Sequence, residues 1–242
     1  MSNRQQIAGS AAIVSALERG EALQRIVLRR EADDTQLVAL VRRARMAGVP
    51  VHRVGPRHFQ RLRQSGGSCD ALALVGSPPD TTASSVLAGE GATWQLIGVA
   101  YPGNAGMALR TAEVSGSAGA FVAADFDRAQ RRAALRASMR ADRFMPVFFG
   151  EADGVLDEAA RSGRRLVAVE DVGERAPWDV DLRGRVHLVV GGEAEGIPKA
   201  ALARCETVVR LPMAGFLPSY NLQGAVAAVA AERLRQLGTV LK

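Results

Sequence analysis

Cysteine is almost absent: Cys69 and Cys205 are the only two in 242 residues, far apart and without the close spacing of a metal site. Three scattered histidines, His52, His58 and His187, offer no ligand cluster either. Structural disulfides and a zinc centre are thereby excluded as organising devices, and no metal is expected. No apolar run approaches the ~20 residues that a membrane span requires. The opening MSNRQQIAGS lacks the apolar block of a secretory signal. A cytoplasmic protein with no membrane association is the expectation.

Hydrophobic residues make up 48% of the chain, enough for a substantial core and against wholesale disorder. The net charge is +6 and the isoelectric point about 10.3, which favours an anionic partner. Residues 1–80 hold 12 of the 31 basic and 7 of the 25 acidic side chains, a balance of +5; residues 81–242 balance at +1. Phosphate contacts are therefore expected in the first third. Nearly all the cations are arginine, which also fits a compositional bias with no functional content.

Patterning divides the chain in two. AAIVSALERG reads as a helix stopped by Gly20, QRIVLRR as a strand, and DDTQLVALVRRARMAG as a helix ending at Gly48. VPVHRV, RHFQRLRQ and ALALVG follow as strand, short helix and strand, giving a small α/β unit with a parallel-type sheet over residues 1–77. Prolines, glycines and small polar residues between 78 and 92 read as a linker. A second α/β unit, 93–242, has expected strands in WQLIGVA, GAFVAA, MPVFF, RRLVAVE, VHLVVGG and TVVRLP. A last helix runs from about Tyr220 to Leu237, apolar over much of its surface as if covered on more than one side.

Three segments of the second unit carry chemistry. In YPGNAGMALRTAEVSG a strand ends, Pro and Gly turn the chain, and Asn104 stands where a helix N-cap is expected. Arg110, six residues on, presents the planar fork that grips phosphate. In VHLVVGGEAEGIP an apolar strand runs into Gly191, Gly192 and Glu193. A dinucleotide fingerprint fails there because its third position is a carboxylate that repels pyrophosphate, so a neutral or cationic ligand fits better. In VVRLPMAGFLPSYNLQGAVAAV a strand leads through Leu211, Pro212 and Met213 into a long loop, and Ser219, Tyr220 and Asn221 open the final helix. Taken singly, the three also read as an ordinary capped helix, a tight turn and a pair of capping residues.

Taken together, N-x-G-x-x-x-R-T-A from Asn104, G-x-E-x-x-G from Gly191 and L-P-M-x-G-x-x-x-S-x-N from Leu211 resemble the three motifs of the TrmH/SpoU group of SPOUT RNA methyltransferases. Residues 1–77 resemble the ribosomal-protein-like substrate-binding domain of that group. The chain departs from the pattern in places: Gly192 and Tyr220 stand where other residues are usual, and the group's His-Gln-Gly turn is not apparent around Cys69-Asp70-Ala71. The S-x-G-A stretch appears as Ser138-Met139-Arg140-Ala141, with arginine for glycine.

The resemblance implies a catalytic α/β domain with a deep trefoil knot, a device that chain-topology rules alone would never suggest. It implies S-adenosylmethionine bound at Gly191, Gly192, Leu211, Pro212, Met213, Tyr220 and Asn221, and a homodimer. Asn104, Arg110, Glu193, Ser219 and Asn221 match the polar active-site positions. Arg110, coupled to an RNA phosphate, would orient or deprotonate the ribose 2′-hydroxyl; since guanidinium stays charged in proteins, orientation is at least as good a role. Asn104 and Glu193 would hold the arginine and loop, while Ser219 and Asn221 shape the pocket. The expected reaction is 2′-O-methylation of RNA, ribosomal before transfer RNA. The alternatives are a transfer-RNA enzyme, a base-nitrogen methyltransferase and a non-catalytic RNA-binding protein that keeps the fold.

Overall fold

The computed structural model describes residues 6–30, 35–63, 69–75 and 82–238. The chain divides into two compact units, Asn3–Pro79 and Asp80–Lys242. In the first, β1 (Gln6–Ala8), α1 (Ser10–Glu18), β2 (Leu23–Arg29), α2 (Thr35–Met46), β3 (Val51–Val54), α3 (Pro56–Leu62) and β4 (Ala71–Val75) follow one another. The sheet order is β1-β4-β2-β3.

Alternation along β2 sorts its side chains between faces. Ile26 and Leu28 join Ile13 of α1 and Leu40 of α2, while Val27 joins Phe59 of α3 and Leu72 on the other side. The expected parallel sheet is corrected here. Only β2–β3 is parallel; β4 runs antiparallel to both β1 and β2. β4 starts near the end where β3 stopped, since Arg29 of β2 pairs with Val54 and the adjacent Leu28 with Ala71. β1 was not expected at all. Asp33 and Asp34, which open the segment read as the helix α2, and Gly76, the last residue of ALALVG, lie outside the described residues.

The second unit comprises α4 (Ala83–Ala88), β5 (Thr93–Ile97), α5 (Pro102–Val114), β6 (Gly119–Ala123), α6 (Arg128–Ala137), β7 (Val147–Phe149), α7 (Ala152–Arg161), β8 (Arg165–Val169), β9 (Val186–Gly191), α8 (Lys199–Leu202), β10 (Thr207–Val209) and α9 (Leu222–Gln236). All six strands are parallel, in the order β10-β8-β9-β5-β6-β7. Five lie within the apolar run that announced them and β5 begins one residue earlier, at Thr93, because a parallel strand is covered on both faces. α5 and α9 pack with Trp94, Leu96 and Leu188 on one face; α4, α7 and α8 pack with Phe121, Leu166 and Val189 on the other.

The expected linker, 78–92, is in part a core element. Val86 and Leu87 of α4 are buried, and Arg164 donates hydrogen bonds to the carbonyls of Val86 (2.9 Å), Leu87 (2.7 Å), Gly89 (2.8 Å) and Gly91 (2.6 Å). One guanidinium thus satisfies the carbonyls that the end of α4 leaves open. Burial and the neighbouring Arg185 charge push it down to about 10. Under the sheet, Gln95 donates to the carbonyl of Ala152 (2.9 Å), so its amide oxygen accepts from His187 Nε2 (2.8 Å), and His187 Nδ1 accepts from Thr93 Oγ1 (2.8 Å). His187 is fully buried, and burial with the nearby Arg164 charge favours its neutral form.

Candidate active site

The sheet order changes sense between β5 and β9, and the carboxyl ends of β8, β9 and β10 frame a hollow of about 290 Å³. Open parallel sheets bind ligands outside the carboxyl ends of their strands, and this hollow lies at those of β8, β9 and β10. The floor is the turn after β9. Gly192 donates its N–H to the carbonyl of Ile97 (2.7 Å), and Gly196 donates to the carbonyl of Gly192 (3.1 Å). A side chain at Gly191 would strike the backbone of Gly196 and Ile197, and one at Gly192 would strike the Gly98 carbonyl. The turn is therefore bare backbone folded onto backbone, which leaves its upper surface free to meet a ligand closely.

Glu170, just beyond β8, ties this turn to the next wall. Its carboxylate accepts the Ile197 N–H, and its own N–H donates to the carbonyl of Val209 (3.0 Å). Beyond β10, Arg210 donates its N–H to the carbonyl of Arg175 (2.8 Å), and Leu211 and Met213 line the hollow. The Tyr220 hydroxyl donates to the carbonyl of Pro212 (2.9 Å), closing the loop so that Ser219 and Tyr220 complete the wall above Leu222 and Ala225 of α9.

The structure thus brings together Gly191, Gly192, Glu193, Leu211, Met213, Ser219 and Tyr220 around one hollow. Asn104 is attached from outside, where its side-chain amide donates to the Glu193 carboxylate. The helix cap expected at Asn104 is corrected: α5 begins at Pro102 with Tyr101 before it, and Asn104 sits inside the first turn. Pro102 was the available signal, since proline favours the first helical position.

Three expected residues stand apart. Pro212 contributes its carbonyl to the Tyr220 hydroxyl but is not part of the lining. Asn221 caps α9, its amide oxygen accepting the Gln223 N–H (3.0 Å). Arg110 is exposed on α5, makes no side-chain hydrogen bond or ion pair among the described residues, and does not line the hollow. Conversely, Glu170, Asp171, Glu195 and Arg210 line it without having been expected. The signal for Glu170 and Asp171 was a charged pair at the carboxyl end of a buried parallel strand.

This is an α/β protein with a backbone cradle at the carboxyl ends of its strands. Residues 94–231 match the model of the SpoU rRNA Methylase family, and the chain belongs to that family. It is 27% identical over 245 residues to the 23S rRNA (guanosine-2′-O-)-methyltransferase RlmB of Xanthomonas axonopodis pv. citri, covering 96% of each chain. It is similar to the crystal structure of an RNA 2′-O ribose methyltransferase (TM-score 0.56, 25% identity, 97% of this chain and 89% of that one). The SpoU methyltransferase AviRb from Streptomyces viridochromogenes, in complex with the cofactor AdoMet, shares the fold (TM-score 0.58, 22% identity, 99% and 92% covered).

Proposed function

We propose that the protein methylates a ribose 2′-hydroxyl of ribosomal RNA with S-adenosylmethionine. The observation that carries this reading is the convergence of the second and third motif segments on one hollow, with the first joined to it through the hydrogen bond from Asn104 to Glu193. The choice of ribosomal RNA is supported by the full-length likeness to 23S rRNA guanosine-2′-O-methyltransferases.

The lining suits that cofactor. Four carboxylates, Glu170, Asp171, Glu193 and Glu195, face one guanidinium, Arg210. This balance disfavours a pyrophosphate and favours a sulfonium cation. Val169, Val190, Met213 and Leu222 supply apolar wall, and the backbone of Gly191, Leu211 and Tyr220 supplies donors and acceptors without competing side chains. When bound, the group supplies a methyl carbon open to displacement.

The protein's own part is alignment. Asn104 holds the Glu193 carboxylate at the mouth of the hollow, and Ser219 borders the same mouth. Arg110 acts from the exposed face of α5 by binding a phosphate next to the target ribose, so that the hydroxyl is presented rather than merely nearby. Asn221 serves by fixing the start of α9, and with it Ser219 and Tyr220.

A trefoil knot belongs to the same reading. It is supported by the packing of Gly173 and Arg175, from the chain between β8 and β9, against Val209 and Arg210. So does a homodimer. Tyr101, Met107 and Val114 on or beside α5, with Phe216 and Leu217 in the loop before α9, are large apolar side chains left exposed by the single chain. Residues 1–77 act as the RNA-binding domain, on the strength of their basic excess. No helix among the described residues is long and apolar enough to cross a membrane, and the reading places the protein in the cytoplasm with its RNA.

Calorimetric titration with S-adenosylmethionine tests the reading. One site per chain is expected, and no heat at high ligand would leave an RNA-binding protein without the reaction. Replacing the target ribose by 2′-deoxyribose should abolish transfer; undiminished transfer would move the reaction to a base.

A further inference from the structure

Between Arg128 and Arg143 the chain holds six arginines and one acid, Asp142, a balance of +5 within a protein whose total is +6. Averaging over residues 81–242 conceals this, because acids elsewhere cancel it. The segment is α6 and the turn after it. α6 opens with a capping box in which Asp127 accepts the Gln130 N–H (2.7 Å) and Gln130 accepts the Asp127 N–H (2.9 Å).

Two of the six arginines are occupied. Arg131 donates to the carbonyl of Phe126 (2.9 Å) and lies 5.6 Å from the centre of the Phe149 ring, and Arg140 pairs with Asp142 at 2.8 Å. Arg128, Arg132 and Arg136 are exposed, and none makes a side-chain hydrogen bond or ion pair among the described residues. Spaced four residues apart, they form one line of like charges along the helix, neighbours about 6 Å apart at their Cβ atoms. Like charges at this spacing repel, so the pattern weakens the helix unless an anion meets it. In sequence, the acids next to the start of the line are Asp125 and Asp127, and Asp127 is engaged in the cap.

The opposite face of α6 is fixed to the catalytic unit. Gly106 of α5 lies against the Ala134 carbonyl, Ala137 Cβ and the Ser138 N–H, so closely that a methyl group there would have no room. The helices meet backbone to backbone, and Arg110 stands one turn beyond Gly106. The arginine line and Arg110 are therefore carried by adjacent, tightly packed helices of one rigid unit.

We propose that the exposed face of α6, through Arg128, Arg132 and Arg136, is an RNA-backbone docking surface of the catalytic unit itself, separate from the basic excess of residues 1–77. The inference rests on the RNA substrate proposed above. The occupant is chosen by charge: a second copy of this chain meeting the face about a two-fold axis would bring arginine against arginine. A phosphate chain offers each guanidinium a fork partner and releases counterions as it does so.

The test uses the full chain, a labelled 23S ribosomal RNA transcript and a salt titration. For R128A/R132A/R136A the slope of log K against log salt should fall by roughly 2 to 3, about 0.7 to 0.9 for each phosphate no longer neutralised. Affinity at low salt should fall roughly 10- to 100-fold, KM for RNA should rise while kcat holds, and S-adenosylmethionine titration should be unchanged. R128K/R132K/R136K should restore most of the slope. An unchanged slope overturns the proposal, and so does a change in sedimentation without a change in slope, which would assign the face to a second copy. An α6-dependent slope in a chain that transfers no methyl group would support the docking surface and defeat the enzyme reading, so the two fail separately.

Discussion

Asn104 and Glu193 are 89 residues apart in sequence, and a hydrogen bond from the Asn104 amide to the Glu193 carboxylate joins the first turn of α5 to the glycine turn after β9. Neither residue needs the other to fold its own segment. Asn104 is not spent on capping α5, and the turn at Gly192 is closed by backbone bonds. The contact therefore serves the place where the two segments meet.

Replacing either partner should cost transfer more than stability. Asn104→Ala and Glu193→Ala should each lower kcat/KM roughly 10- to 100-fold, the effect of losing a hydrogen bond to a charged group worth about 1.5–3 kcal/mol. The double variant should be little worse than the poorer single one, because both remove one interaction. Additive losses in steady-state kinetics would mean that the residues act independently.

The glycine turn makes a steric prediction. Gly192→Ala places a methyl group on the Gly98 carbonyl, so it should destabilise the chain by about 1–3 kcal/mol and abolish measurable cofactor binding. Gly224→Ala, in α9 where an added methyl meets nothing, is the control and should stabilise slightly. Glu170→Gln keeps an acceptor for the Ile197 N–H and should retain cofactor affinity better than Glu170→Ala. Calorimetry on the four proteins gives the ranking.

His187 sets a pH dependence of stability unconnected with the reaction. Burial, then the Arg164 charge, pushes its imidazole down to about 3, against ~6.5 in an unfolded chain. Between those values the unfolded chain binds a proton that the native chain refuses. The stabilisation is complete above about pH 6.5 and drains away as pH falls toward about 3, a loss on the order of a few kcal/mol. Urea midpoints measured from about pH 7 down to pH 4 should fall steadily, and His187→Asn should flatten that slope by removing the titrating group.

Most of the second unit was legible in the sequence because parallel strands buried on both faces leave apolar runs; five strands lie inside those runs and β5 overruns its own by one residue, Thr93. The first unit was less so. The three residues of β1, QIA, carry no period, and an apolar strand such as ALALV states that it is buried but not in which direction it runs. At the site, the glycines and Glu193 were legible because they sit in short motifs. Glu170 was not, since its partner Ile197 is 27 residues away and the contact exists only once β8 and β9 lie side by side. The arginine line of α6 was present in the letters and hidden by averaging over a domain.

If Met107, Val114, Phe216 and Leu217 are covered by a second copy, the chain should sediment as a dimer. M107E/V114E should then sediment as a monomer with its far-ultraviolet circular dichroism unchanged. A wild-type chain that stays monomeric at high concentration would rule the dimer out.

The decisive measurement is to incubate the protein with methyl-labelled S-adenosylmethionine and 23S ribosomal RNA, digest the RNA to nucleosides, and find the label. Label is expected in a 2′-O-methylated nucleoside, and none when Gly192 is replaced by alanine. Label confined to a base-methylated nucleoside, or no label with any RNA, would refute 2′-O-methyl transfer by this protein.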